Sequence, residues 1–71
     1  MIDSYTQIYC VFGNPVKHSK SPKMHNACFH EHQINAVYLA FEINDIANGI
    51  IAMKTLDIKG ASITIPFKES I

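Results

Sequence analysis

Two short stretches of this chain hold side chains able to do chemistry together. The loop Lys17-His18-Ser19-Lys20 runs into Ser21-Pro22, which places two hydroxyls, Ser19 and Ser21, where a helix is expected to begin. A helix start presents unpaired N–H groups and the positive end of the helix dipole. Hydroxyl donors at such a place suit an anion, a carboxylate in particular. The competing reading is structural: Ser21 caps the helix, with Pro22 at the first helical position, and Ser19 is an ordinary loop residue. The second stretch brings Thr64 close to Lys68. A lysine whose pKa is lowered by partial burial acts as a general acid or base. Otherwise Lys68 is a surface lysine beside a helix N-terminus, a slightly unfavourable place for a cation.

Other chemistries find less support. Of the histidines, His18 lies in the loop, and His25, His30 and His32 lie on the first expected helix. No two histidines stand three or four apart, the spacing that two ligands on one helix face require, so no metal site is expected. The chain contains no G-x-G-x-x-G or other Gly-rich phosphate loop, so no residue here is expected to bind a dinucleotide. Six lysines, no arginine and six acidic residues give a formal net charge of zero. That balance argues against a nucleic-acid or membrane-surface partner, both of which favour a basic excess. Lys17, Lys20 and Lys23 form the only loose basic group and read as a solvated loop edge. Cys10 and Cys28 sit in apolar runs in a sequence without a signal-peptide pattern, and are expected to be reduced, buried thiols. No apolar run approaches the ~20 residues needed to span a bilayer. The chain reads as cytoplasmic.

The elements that must position these groups follow from the pattern. With 71 residues, 48% of them hydrophobic, the chain holds one small globular domain at most. Ile8-Tyr9-Cys10-Val11-Phe12, ended by Gly13-Asn14-Pro15, predicts a strand buried on both faces. A helix runs from Ser21 to about His32, with Met24, Ala27 and Cys28 on its apolar face and Phe29 at the edge. Residues 36–43 alternate with period two and predict a second strand. Asn44 caps a second helix over residues 45–56, whose stripe is Ile46, Ile50 and Met53, flanked by Ala47 and Ile51. Gly49 weakens that helix by about 1 kcal/mol relative to alanine. Lys59-Gly60 turns the chain into a third strand, residues 61–65, which Pro66 stops. The order β-α-β-α-β predicts an α/β fold: a mostly parallel open sheet with flanking helices and right-handed crossovers. Ligands bind such sheets beyond the carboxyl ends of the strands, where both chemical stretches lie.

Taken together, Gly13 to Pro22 followed by His25-Asn26, and Gly60-Ala61-Ser62-Ile63-Thr64-Ile65-Pro66-Phe67-Lys68, resemble the two signatures of the shikimate dehydrogenases. The resemblance implies that residues 1–71 are the N-terminal part of the substrate-binding domain, with an NADP-binding Rossmann domain outside this chain. It implies the NADPH-dependent, reversible reduction of 3-dehydroshikimate to shikimate, in the route to chorismate and the aromatic amino acids. Ser19 and Ser21 would hold the substrate carboxylate, Thr64 would contact the ring substituents, and Lys68 would be the catalytic lysine. Two departures stand out. The family usually has asparagine and valine where this chain has Ser62 and Ile63. The family's lysine also works with an asparagine and an aspartate that the resemblance places beyond Ile71; Asp45 and Asp57 belong to the second helix and its exit. The chain alone is therefore expected not to turn over. Two alternatives remain open: an NAD-using quinate/shikimate dehydrogenase, and a non-catalytic module that binds hydroxy acids. The open edges of so short a sheet leave room for a homodimer.

Overall fold

The computed structural model describes residues 2–64. It has three parallel strands and two helices: β1 (Gln7–Gly13), α1 (Ser21–Glu31), β2 (Ala36–Glu42), α2 (Ile46–Thr55) and β3 (Ile58–Thr64). The predicted α/β fold with a parallel open sheet is what the chain adopts. Lys68 and Pro66 lie outside the described residues.

The strand order is β2-β1-β3, with β1 in the centre. A central strand has a neighbour on each side and a helix over each face, so both of its faces are apolar. Ile8, Cys10 and Phe12 meet Ile58, Phe41, Ile43, Ala52 and Met53 on the α2 face. Tyr9 and Val11 meet Val16, Tyr38, Phe29 and Ala40 on the α1 face. The sheet thus carries two small cores, one under each helix. Among the described residues, no helix is long and apolar enough to cross a membrane.

Both helices are rotated from the orientation their apolar spacing predicts. On α1, Met24 is 68% exposed, and Ala27 and Cys28 are exposed too. The face turned to the sheet carries Asn26 and Phe29 instead. The cause is polar. The Asn26 amide donates to the Tyr38 carbonyl (2.8 Å), and the Tyr38 N–H donates to Asn26 Oδ1 (2.7 Å). This amide stands in for a missing strand along the outer edge of β2 and satisfies both backbone groups there. Cys28 is consequently not the buried thiol that its apolar neighbours suggested, whereas Cys10 is fully buried; both are free. Burial pushes the Cys10 thiol pKa up.

On α2, Gly49, Ala52 and Met53 face the sheet, while Ile46, Ile50 and Ile51 are 42%, 52% and 60% exposed. A Cβ on Gly49 would stand 3.1 Å from Ile43 Cδ1 and 3.4 Å from Phe12 Cδ2. The missing side chain at Gly49 therefore lets α2 pack closely over Phe12 and Ile43. Asp45, rather than Asn44, caps this helix: its backbone is extended and Oδ1 accepts the Asn48 N–H at 2.9 Å. A carboxylate there also favours the helix dipole. Asn44 instead accepts from the Asn14 side chain at 3.4 Å, joining the two loops at the carboxyl edge.

The third strand starts earlier than the Lys59-Gly60 pair suggested. Asp57, at φ 54°, makes the turn, and Gly60 lies inside β3 opposite Tyr9. A Cβ at Gly60 would be 2.9 Å from the Tyr9 ring, so the glycine admits an aromatic side chain beside a shift in register.

Replacing Asn26 by alanine strands the Tyr38 N–H and carbonyl without partners at a partly buried edge. Urea unfolding is expected to show a loss of about 1–3 kcal/mol. Unchanged stability would mean that the amide does not set the seat of α1.

Candidate substrate groove

Gly13 and Thr64 are paired at the carboxyl ends of β1 and β3. The first connection moves from β1 to one neighbour and the second returns to the other, so the order reverses between β1 and β3. Reversal points of this kind open a crevice beyond the strand ends. The crevice is present here on the α1 face. It is a groove of about 410 Å³ lined by Val11, Pro15, Val16, His18, Ser19, Ser21, Ser62 and Thr64.

The loop after β1 wraps this groove. Its Asn14–Pro15 peptide is cis. Val16 plugs the α1-face core, and its carbonyl accepts the Ser19 N–H at 3.0 Å. Ser19 Oγ in turn accepts the Ser21 N–H at 3.1 Å, a side-chain turn that starts the helix. The helix therefore begins one residue earlier than predicted. Lys20 holds the N-cap position, its carbonyl accepts the Met24 N–H at 3.2 Å, and no side chain caps the first turn. Ser21 is not the cap. With the first turn closed around Lys20, its hydroxyl is left over and borders the groove.

The opposite wall is β3. Ser62 and Thr64 are two residues apart, so both fall on the face shared with Val11. Four hydroxyls thus converge: Ser19, Ser21, Ser62 and Thr64. Each can donate one hydrogen bond and accept two. Lys17, Lys20 and Lys23 are exposed on the loop and first helical turn that carry Ser19 and Ser21, a local positive charge that favours an anion. The structure therefore brings together Ser19, Ser21 and Thr64, three of the residues singled out from sequence, while Lys68 lies outside the described residues. It adds His18 and Ser62, which sequence reasoning did not assign to the site. The period-two partnership of Ser62 with Thr64 on a strand was the available signal. Among the described residues, no group of three or more His, Cys, Asp or Glu side chains is arranged to hold a metal.

A second hollow opens on the α2 face, between Phe12, Ile43, Asp45, Ile46 and Ile63. At about 20 Å³ it has room for a single water, and its walls are mostly apolar.

Residues 11–71 match the family model for the shikimate dehydrogenase substrate binding domain. The chain belongs to the shikimate dehydrogenase family. It is 51% identical over 72 residues to the shikimate dehydrogenase (NADP(+)) of Pyrococcus furiosus, an alignment that covers all of this chain and 27% of that protein. The crystal structure of shikimate dehydrogenase from Aquifex aeolicus superposes with a TM-score of 0.87 at 49% identity, over 100% of this chain and 27% of the other. The Listeria monocytogenes enzyme, solved with shikimate and NAD, superposes with a TM-score of 0.84 at 30% identity, over 94% of this chain and 24% of the other. The chain thus spans about a quarter of the length of the shikimate dehydrogenases it matches.

One position decides how closely the groove's two walls meet. A Cβ on Gly13 would stand 2.7 Å from the Thr64 carbonyl oxygen and 2.8 Å from Thr64 Cγ2. Gly13→Ala is expected to push the end of β3 away and to lower stability by about 1–3 kcal/mol in urea unfolding. A variant as stable as the parent would contradict the close approach.

Proposed function

We propose that this chain is the substrate seat of an enzyme that interconverts 3-dehydroshikimate and shikimate with NADP. The observation that carries the reading is the convergence of Ser19, Ser21 and Thr64 on one groove at the β1/β3 reversal. Family membership supplies the chemistry to which that geometry is suited. In this reading residues 1–71 form the N-terminal part of the substrate-binding domain. In the same reading the cofactor is held by a Rossmann domain in another part of a longer protein; family membership and the chain's span of about a quarter of its relatives support this.

Ser19 and Ser21 donate to the substrate carboxylate, near the N-terminus of α1, whose dipole favours the negative charge. Thr64 contacts a ring hydroxyl from the facing wall. Anchoring the ring at its carboxylate end aligns the reacting carbon for transfer. Lys68 stands two residues beyond Pro66 in sequence and serves as the acid/base. In the direction of oxidation it takes the proton of the ring hydroxyl as that carbon loses its hydride, and it returns the proton on reduction. NADP, when bound, accepts or supplies the hydride. By itself the chain seats the substrate and does not turn it over. The pathway is that of chorismate and aromatic amino-acid synthesis, in the cytoplasm.

A second reading has one observation in its favour: the relative from Listeria monocytogenes was solved with NAD. An NAD-using quinate/shikimate dehydrogenase would need room for an extra hydroxyl beside the carboxylate. Comparing both substrates with both cofactors in the full-length enzyme separates the two readings.

The assignment of residues makes a sharper prediction for that enzyme. Lys68→Ala should cut kcat far more than it changes KM, because the lysine acts mainly in the transition state. Ser19→Ala should chiefly weaken binding, by roughly 1–3 kcal/mol. A near-normal kcat in Lys68→Ala would overturn the catalytic role.

A further inference from the structure

Tyr38 reaches the groove without lining it. It sits in the middle of β2, only 6% exposed, with its ring on the α1 face among Val11 and Val16. The His25 ring stacks on it, with centroids 4.2 Å apart and planes 12° apart. Asn26 holds both backbone groups of the same residue, at 2.7 and 2.8 Å. Backbone and ring are therefore both held in place. The hydroxyl of a buried tyrosine needs a polar partner. Here it passes over the central strand and meets Ser62 Oγ on β3 at 3.5 Å.

We infer that Tyr38 is a positioning residue that orients the Ser62 hydroxyl toward a ligand in the groove. The inference rests on the substrate-seat reading above. A serine hydroxyl has one hydrogen to donate and two lone pairs. If Ser62 spends its hydrogen on Tyr38, it offers the groove only an acceptor. If Tyr38 donates to Ser62, the Ser62 hydrogen is free to point at the ligand. A carboxylate oxygen only accepts, and a ring hydroxyl that spends its own hydrogen elsewhere does the same, so a ligand that presents such an oxygen to Ser62 selects the second arrangement. The separation is longer than the roughly 2.7–2.8 Å of a relaxed hydroxyl pair, so the contact itself adds little stability. Its effect is directional. It runs from Asn26 and His25 on α1, through Tyr38 on β2, to Ser62 on β3, and so ties the groove's donor set to the seating of the first helix.

The test uses the full-length enzyme carrying this segment. Tyr38→Phe keeps the ring and removes only the hydroxyl; Ser62→Ala removes the oriented group. Each should raise KM for shikimate by roughly threefold to tenfold, the range of one modest hydrogen bond, with kcat within about twofold of the parent. The double variant should be no worse than Ser62→Ala alone, because Tyr38 acts only through Ser62. Ser62→Thr, which keeps the hydroxyl, should keep the parent KM even if Tyr38→Phe folds poorly. An unchanged KM in Tyr38→Phe, or a double variant whose KM is the product of the two single effects, would overturn the positioning role. Ser19→Ala separates the two levels. If it raises KM while Tyr38→Phe does not, the role of Tyr38 fails alone. If neither changes KM, the groove is not the substrate seat.

Discussion

The missing side chain at Gly13 lets the carboxyl ends of β1 and β3 close to contact, since even one methyl there would meet the Thr64 carbonyl at 2.7 Å. The rest of the site depends on this contact. Because the strand order reverses between β1 and β3, a crevice opens beyond their ends. The loop leaving β1 must turn sharply after Gly13, and it brings Ser19 and Ser21 around to face Ser62 and Thr64. A wider separation of the two strands would place the same hydroxyls on two walls too far apart for one small ligand. The groove is thus a consequence of backbone packing, and its side chains need only be short and polar.

A second constraint fixes how α1 lies over that groove. An apolar helix face would normally settle the rotation of a helix on a sheet. Here one amide does so. Asn26 makes two short hydrogen bonds to Tyr38, and Phe29, one turn further along, fills the core beneath. Leaving an edge strand's N–H and carbonyl unpaired costs more than burying Met24 or Ala27 would gain. The helix N-terminus, with Ser19 and Ser21, is brought to the groove by the loop after β1, where Val16 and Ser19 fix the turn.

These two constraints explain what was legible in the sequence. The uninterrupted apolar run 8–12 ended by Gly13-Asn14-Pro15 marks β1 plainly, and the alternation of residues 36–42 marks β2. The order of elements was enough for a parallel sheet with ligands at its carboxyl edge, and so for the neighbourhood of Ser19, Ser21 and Thr64. The helix faces were not legible, because on α1 a polar pair and on α2 the smallness of Gly49 outweigh the apolar stripes. Gly60 was misread as a turn because the ring it accommodates, Tyr9, is distant in sequence. Ser62 could have been found from its period-two partnership with Thr64 on β3, whereas Tyr38 could not: it is far from Ser19 and Ser62 along the chain, and only the pairing of β2 and β3 with β1 unites them.

The central claim is that the α1-face groove, rather than the smaller hollow on the α2 face, receives the substrate. Titrating the isotope-labelled full-length enzyme with shikimate and following backbone amide shifts tests it directly. The account predicts the largest shifts at His18, Ser19, Ser21, Ser62 and Thr64, with Ile50 and Ile51 on the outer face of α2 unmoved. Shifts centred on Asp45 and Ile46, with the Ser19 and Ser21 amides unmoved, would contradict it.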